Sequence, residues 1–311
     1  MRIAVFGSGG VGGYFGGRLA EAGEDVAFIA RGEHLAAIRR DGLRVTSIAG
    51  DFLIRPAQAT DDPATLEPVD VVLLGVKAWQ VVEATEAMRP IVGPHTRVVP
   101  LQNGIEAPDL LAQALGAKRV LGGLCRILGY VAGPGHIVHA GVEPYIAFGA
   151  MDTASDERAE ELRRAFARAR GVTAEIPPDI RVAMWNKFLF IAALSGVAAL
   201  TRVPIGIVRS QPESRSLLRQ ALQEIHAVAA GHGIALAADV VERTLDFVDG
   251  LPEAGTTSMQ RDIVQGHPSE LDAQIGAVVR LGRRAGVDVP VHRFILAALL
   301  PLERRARGEI A

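Results

Sequence analysis

The stretch that decides the fold is Arg2-Ile3-Ala4-Val5-Phe6-Gly7-Ser8-Gly9-Gly10-Val11-Gly12, at the start of the chain. Its first five residues form a short apolar run of strand type. The run breaks into glycines, and Val11–Ala22 then reads as a helix with small residues on its packing side. The glycines have the spacing G-x-G-x-x-G. The first permits a tight turn, the second lets backbone approach a pyrophosphate, and the third lets helix and strand pack closely. The helix N-terminus offers unpaired N–H groups to the phosphates. Between a strand and a helix the motif is specific, whereas glycines alone would not be. Gly7, Ser8, Gly9, Gly10, Val11 and Gly12 are therefore the candidate cofactor cradle. The bland alternative is a glycine-rich turn in an α/β protein that binds no nucleotide.

A second strand, Asp25–Ala30, ends in Arg31-Gly32. NAD enzymes usually place Asp or Glu near this tip, on the ribose 2′-hydroxyl. Here the tip carries Arg31, and a guanidinium suits a 2′-phosphate, so the expected cofactor is NADP(H). The competing reading of Arg31 is a solvated surface side chain.

Outward from this unit, strand and helix patterns alternate. Val69–Val76 is a continuous apolar run, the pattern of a parallel strand covered on both faces. Further strands are read at Thr96–Leu101, Val120–Leu124 and His136–Phe148, and a last short one near Thr173–Ile176. After that the pattern is helical: Ile180–Leu200, Ser214–Gly231, Ala237–Phe247, Ser258–Gln265, Ser269–Ala285 and Val291–Arg307. The expected fold is an α/β Rossmann-type N-terminal domain with a mostly parallel sheet, residues 1–176, followed by an all-α C-terminal domain, residues 177–311.

Composition narrows the function. The 311 residues are 49% hydrophobic and 22% charged, the balance of an ordinary globule. Thirty-three basic residues face 35 acidic ones, so no basic excess points to nucleic acid or to an anionic membrane surface. The single cysteine, Cys125, excludes an intramolecular disulfide framework. Phe188–Leu200 is shorter than the roughly 20 residues of a membrane span and reads as a buried helix. No export signal is read at the start, which favours the cytoplasm. His136 and His139 sit at odd spacing on a strand and so on opposite faces. They read as surface or edge residues, and no metal site is expected.

Lysine is rare: of 33 basic residues only Lys77, Lys118 and Lys187 are lysines. Arginine does not deprotonate in proteins, whereas lysine can act as a proton donor. Lys118 lies in a polar connection. Lys77 follows an apolar strand, and Asn103, in Leu101-Gln102-Asn103-Gly104, holds the same position one strand later. Ligands bind outside the carboxyl ends of such strands, so both are expected at a cofactor cleft; the alternative for Asn103 is a turn residue beside glycine. Lys187 lies inside an apolar helix, where lysine is costly unless it is paired, lines a cavity or snorkels to an edge.

With these residues in view the chain resembles the ketopantoate reductase (2-dehydropantoate 2-reductase) family. The resemblance rests on Gly7-x-Gly9-x-x-Gly12, Arg31, Val76-Lys77-Ala78, Gln102-Asn103-Gly104, Trp185-Asn186-Lys187-Phe188, and Ser258-Met259-Gln260-Arg261-Asp262 with Glu270 beyond. It covers essentially the whole length. It implies a Rossmann-type domain followed by a helical one, and NADPH-dependent reduction of a 2-keto acid to a 2-hydroxy acid, as in pantothenate biosynthesis. Carried over, it implies that Lys77 lies along the cofactor and that Asn103 touches both nicotinamide side and substrate. Lys187 would protonate the developing alkoxide, Ser258 would contact the substrate carboxylate, and Glu270 would lie near the cofactor ribose and the lysine.

The family carries asparagine four and eight residues after the catalytic lysine, on the lysine's own helix face. Here those positions hold Ile191 and Ser195, and a third family asparagine aligns with Ile205. Ile191 and Ser195 are therefore expected in the substrate pocket, and a more apolar 2-keto acid is the expected substrate. Alternatively Thr201, Arg202, Thr256 or Thr257 restores the lost donors. Two other readings remain open at this level: a different NADP-dependent hydroxyacid dehydrogenase, or a non-catalytic NADP(H)-binding sensor. The expected partner is the small-molecule 2-keto acid, and exposed helical faces in the second half would permit a homodimer.

Overall fold

The computed structural model describes residues 1–311. The chain divides into two compact units, one of Met1–Gln102 with Ala107–Ile180, the other of Asn103–Glu106 with Arg181–Ala311.

The first unit contains β1 (Arg2–Phe6), α1 (Gly12–Glu21), β2 (Asp25–Ile29), α2 (Gly32–Asp41), β3 (Leu43–Ser47), β4 (Phe52–Ile54), β5 (Gln58–Thr60), β6 (Val71–Leu74) and α3 (Val81–Met88). It continues through β7 (Arg97–Pro100), α4 (Ala107–Leu115), β8 (Leu121–Gly133), β9 (His136–Ala150), α5 (Glu157–Arg168) and β10 (Thr173–Glu175). Strands β5-β2-β1-β6-β7 form a five-stranded sheet in that order, every pair parallel. The side chains of β1 alternate between two cores, as the two-residue strand period requires. Ile3 and Val5 join Phe15, Phe28 and Phe166 on one face, while Ala4 and Phe6 join Val72, Leu74 and Met88 on the other. Burial on both faces explains why β6 reads VVLL with no polar residue.

The expected Rossmann-type parallel sheet is therefore present, and a second sheet accompanies it. Its order is β10-β9-β3-β4, with β8 antiparallel to β9. Strand β9 is parallel to both β3 and β10, so this sheet is mixed. The short strands β3 to β5 were not anticipated, and β8 runs 13 residues, well beyond the short strand expected at 120–124, whereas β9 extends the strand expected at 136–148 by two residues. Helix α1 is tied to this second sheet through Arg18, which is fully buried. Its guanidinium lies 4.3 Å from the Phe52 ring centre and donates to Tyr14 Oη, Ser47 Oγ and the Gly50 carbonyl. His139 departs from the surface role expected for it. It is buried, paired with Ser47 Oγ at 2.8 Å and with the Val142 carbonyl at 2.8 Å, so both ring nitrogens are satisfied inside the sheet.

The second unit is helical: α6 (Ile180–Thr201), α7 (Ile205–Ser210), α8 (Pro212–Gly231), α9 (Val240–Asp249), α10 (Ser258–Val264), α11 (Ala277–Ala285) and α12 (Pro290–Ala306). Helix α6 is apolar on most of its circumference and occupies the core of the unit. By length and composition it could cross a bilayer, yet 67% of its apolar window is buried inside the protein. Where a continuous helix was expected over 269–285, residues Asp272–Gly276 form a π-helical turn ahead of α11. Gly196 of α6 lies against it: a Cβ there would stand 2.8 Å from Ile275 Cδ1.

Candidate active site

In the first unit the glycine-rich turn lies where chain order reverses. Strands β2 and β5 lie to one side of β1, and β6 and β7 to the other. Such a switch point is where open α/β sheets bind ligands. Gly7 has φ of +95°, and a Cβ there would lie 2.7 Å from the Val76 nitrogen. The residue after β6 is also glycine for a steric reason: a Cβ on Gly75 would lie 2.9 Å from the Gly12 Cα. A Cβ on Gly10 would run into the Gly129 carbonyl of β8 and lie 2.7 Å from the Tyr130 nitrogen. Gly9 differs from its neighbours, because a Cβ there would meet nothing within 4 Å. Three sides of the turn are thus closed by backbone, and the position assigned to pyrophosphate approach is open. That space fits a dinucleotide phosphate. Ser8 is buried and donates its hydroxyl to the Ile29 carbonyl at 3.1 Å, fixing the turn to the end of β2. Val11 is the N-cap residue of α1, and no side chain caps that helix.

Arg31 stands just beyond β2 as the N-cap residue of α2. Its side chain is 65% exposed and pairs with Glu83 of α3 at 3.0 Å. An ion pair this exposed is weak, typically 0–1 kcal/mol, and leaves the guanidinium exchangeable. Three residues on, His34 reaches back to the turn: its Nε2 lies 2.9 Å from the Ser8 carbonyl, and its Nδ1 accepts from Gly135 N–H at 3.0 Å. Sequence reasoning did not single out His34, Gly75 or Gly129. Lys77 follows β6 after Gly75 and Val76, its backbone N–H donating to Gln80 Oε1 at 3.1 Å and its ammonium 5.7 Å from the Trp79 ring centre. Gln102 is buried after β7 and donates to the Leu74 and Val76 carbonyls, holding the strand end that presents Lys77.

The second unit brings together three residues far apart in sequence. Lys187 of α6 donates from Nζ to Asn103 Oδ1 at 2.9 Å. Asn103 Nδ2 points to Glu270 Oε2 at 3.4 Å, a long contact. Lys187 is half-buried and Glu270 is 6% exposed. The asparagine amide thus orients an ammonium on one side and a carboxylate on the other. The backbone before Glu270 is itself anchored. Ser269 N–H and Oγ both donate to the buried Glu303 carboxylate of α12, and Arg307 donates to Glu303 and to the Ser269 carbonyl. A buried carboxylate with three such partners satisfies the requirement that buried charge be paired.

The other expected site residues fall on this unit with different environments. Ile191 lies one turn after Lys187 and is half-buried. Ser195 is fully buried, and its Oγ has no hydrogen-bond partner. Ile205 is buried at the start of α7. Ser258 is the first residue of α10, behind the Thr257 cap, and is half-buried. Of the threonines that could restore lost donors, Thr201 donates its hydroxyl to the Val197 carbonyl of its own helix, whereas Thr256 Oγ1 accepts from Arg261 and Thr257 Oγ1 accepts from Gln260 N–H, so these two hydroxyls keep a proton to donate. Gln274, in the π-helical turn one helical turn beyond Glu270, is fully buried with both amide atoms unpartnered.

Comparison with known proteins gives the family. Residues 3–153 match the family model described as ketopantoate reductase PanE/ApbA, and residues 179–303 match its C-terminal counterpart. A 2-dehydropantoate 2-reductase of Mesorhizobium japonicum is 30% identical, over 98% of this chain and 99% of that protein. The crystal structure of 2-dehydropantoate 2-reductase from Geobacter metallireducens superposes with a TM-score of 0.90 at 32% identity, covering 97% of this chain and 99% of that one. A ternary structure of D-mandelate dehydrogenase with NADH and anilino(oxo)acetate shares the fold, with a TM-score of 0.89 at 21% identity over 99% of this chain and all of that one. Matches across both units, at such identity and coverage, leave one conclusion: the chain belongs to the ketopantoate reductase family.

Proposed function

We propose that the protein reduces a 2-keto acid to the 2-hydroxy acid with NADPH. In this reading residues 1–176 form the cofactor domain and residues 177–311 the substrate and catalytic domain. Gly7 to Gly12 hold the pyrophosphate, Arg31 the 2′-phosphate, and Lys77, Asn103 and Glu270 the remainder of the dinucleotide. The cofactor, when bound, supplies the hydride. Lys187 faces the charge that develops on the substrate oxygen, stabilises it and delivers a proton from Nζ. Asn103 holds that ammonium by accepting from it, and Glu270 supplies a fixed negative charge beside the amide. The observation that carries the reading is the Lys187–Asn103 bond of 2.9 Å with Glu270 on the other arm of the same amide.

The substrate side is the more apolar version of such a site. Ile191 stands one turn from the lysine, Ile205 is buried, and Thr201 donates its hydroxyl proton within its own helix. A pocket built this way favours a 2-keto acid with an apolar side chain over one carrying a hydroxyl, with Ser258 contacting the carboxylate. Nothing in the reading calls for nucleic acid or a membrane as partner, and it places the enzyme in the cytoplasm.

The test is NADPH oxidation by the purified protein against 2-dehydropantoate and a graded panel of apolar 2-keto acids, with Lys187→Ala alongside. The expected result is turnover that falls roughly 10²- to 10⁴-fold in the variant, at nearly unchanged NADPH affinity, and that is highest for an apolar acid. Substantial activity in Lys187→Ala removes the lysine from its role, and clear preference for 2-dehydropantoate overturns the apolar pocket.

A further inference from the structure

The glycine-rich turn is held by a side chain from outside the motif. His34 Nδ1 lies 3.0 Å from the Gly135 backbone nitrogen, which can only donate, so Nδ1 carries the lone pair. In the neutral ring the proton then sits on Nε2, which donates to the Ser8 carbonyl at 2.9 Å. The anchor is itself fixed. The Gly135 carbonyl accepts from Arg44 N–H at 2.9 Å, and a Cβ on Gly135 would lie 3.1 Å from the Ala37 Cβ of α2. The peptide between Ser8 and Gly9 is planar, and in a trans peptide the C=O and the N–H point in opposite directions. Fixing the Ser8 carbonyl toward His34 therefore fixes the Gly9 N–H away from it. Gly9 is the residue of the turn whose Cβ position is open.

We propose that His34 is a positioning residue for cofactor binding: by holding the Ser8 carbonyl it sets the direction of the Gly9 amide that receives the pyrophosphate. The inference rests on the cofactor reading above. It goes beyond it by assigning loop geometry to the first turn of α2, which then carries both the 2′-phosphate residue Arg31 and the residue that orients the loop.

Two conservative variants separate the two bonds. His34→Gln places an amide nitrogen about as far along the side chain as Nε2, keeping donation to Ser8. His34→Asn places an amide oxygen near the position of Nδ1, keeping acceptance from Gly135 and losing the bond to Ser8. NADPH affinity is measured on the full chain by titration calorimetry for wild type, His34→Gln, His34→Asn and His34→Ala, with the melting temperature of each without cofactor. Steady-state kinetics with a substrate from the 2-keto acid panel gives kcat and KM. His34→Gln is expected within a few-fold of wild type. His34→Asn and His34→Ala are expected to bind NADPH roughly 5- to 100-fold more weakly, the penalty for an unsatisfied buried carbonyl. KM for NADPH should rise while kcat at saturating cofactor and KM for the keto acid hold. Equal affinity in all variants overturns the proposal, as does equal loss in all three or wild-type affinity in His34→Asn with loss in His34→Gln. A wild-type protein that binds neither NADPH nor NADH overturns the cofactor reading, and the role of His34 with it.

Discussion

Two adjacent glycines of the turn should respond to the same substitution in opposite ways. In Gly10→Ala the new methyl meets backbone on β8, at the Gly129 carbonyl and 2.7 Å from the Tyr130 nitrogen. Neither atom can rotate away, so α1 and β8 must separate by several tenths of an ångström or more. Overpacking of this kind costs about 1–3 kcal/mol, and a domain of this size loses roughly 2–4 °C of melting temperature for each kcal/mol. Gly10→Ala should therefore melt about 2–12 °C below wild type. In Gly9→Ala the methyl enters empty space, and its backbone lies outside the left-handed region. Alanine also restricts the unfolded chain, which adds about 0.4–1 kcal/mol of stability where the native backbone accepts it. Gly9→Ala should melt at or slightly above wild type. Its methyl nevertheless occupies the approach of the pyrophosphate, so the rise in melting temperature on adding NADPH should be lost. The assay is a thermal melt of the three proteins with and without saturating NADPH. A Gly9→Ala protein that loses as much stability as Gly10→Ala, or keeps the full NADPH shift, refutes the steric argument.

Other outcomes follow from the same geometry. Arg31→Glu should lower the ratio of NADPH to NADH efficiency by about 10- to 150-fold, the range of a lost charge-assisted bond; an unchanged ratio in steady-state kinetics removes Arg31 from the 2′-phosphate. Ser195→Ala removes a buried hydroxyl without a partner and should raise stability by up to about 1 kcal/mol in urea unfolding, whereas a loss above that size would mean the hydroxyl is bonded in solution. Burial, and then donation to Glu175 at 2.8 Å, push the Tyr145 phenol up to about 12. Because its folded value lies above the ordinary phenol value of 10.0, its contribution to stability is complete below pH 10 and is lost as pH rises through about 12. Ultraviolet titration should therefore show a late phenol that moves earlier in Glu175→Gln.

The parallel sheet and the turn were legible because their signals are local. A strand buried on both faces needs only apolar residues in succession, and a dinucleotide turn needs glycines at three fixed offsets. The second sheet was only partly legible, because β4 is three residues long and too short for a two-residue period to register, as is β5 at the edge of the first sheet. In β8 the glycines are positions of close approach inside a long strand: a Cβ on Gly122 would meet Ile180, one on Gly123 would meet the Pro100 carbonyl, and one on Gly129 would meet Gly10. His139 misled for a related reason, since a histidine in an alternating strand reads as its polar side and nothing local announces Ser47 as its partner. The π-helical turn leaves no mark in an apolar run that an α-helix would also produce. Asn103, Lys187 and Glu270 were legible as residues, through the rarity of lysine and the family resemblance. Their meeting was not, because 84 residues separate the first two and 167 separate the asparagine from the carboxylate.

The bond from Gly135 to His34 spans 101 residues, and this gives the nucleotide turn a history during synthesis. The motif itself leaves the ribosome within the first dozen residues, and its strand and helix can form at once. Part of its backing, Gly75 and Val76, follows with β6, but the wall at Gly129 arrives only with β8, and the amide that locks His34 comes after that. Until then the emerging chain carries a complete phosphate fingerprint in a loop that lacks one wall and its outer anchor. Late closure of this kind is the slow element of folding, since a long loop must be ordered before its contacts form. A nascent chain stalled before residue 135 would thus be a protein with the right letters and a loosened grip, and a graft of the first forty residues onto another scaffold would lack both the β6 and β8 walls and the Gly135 anchor.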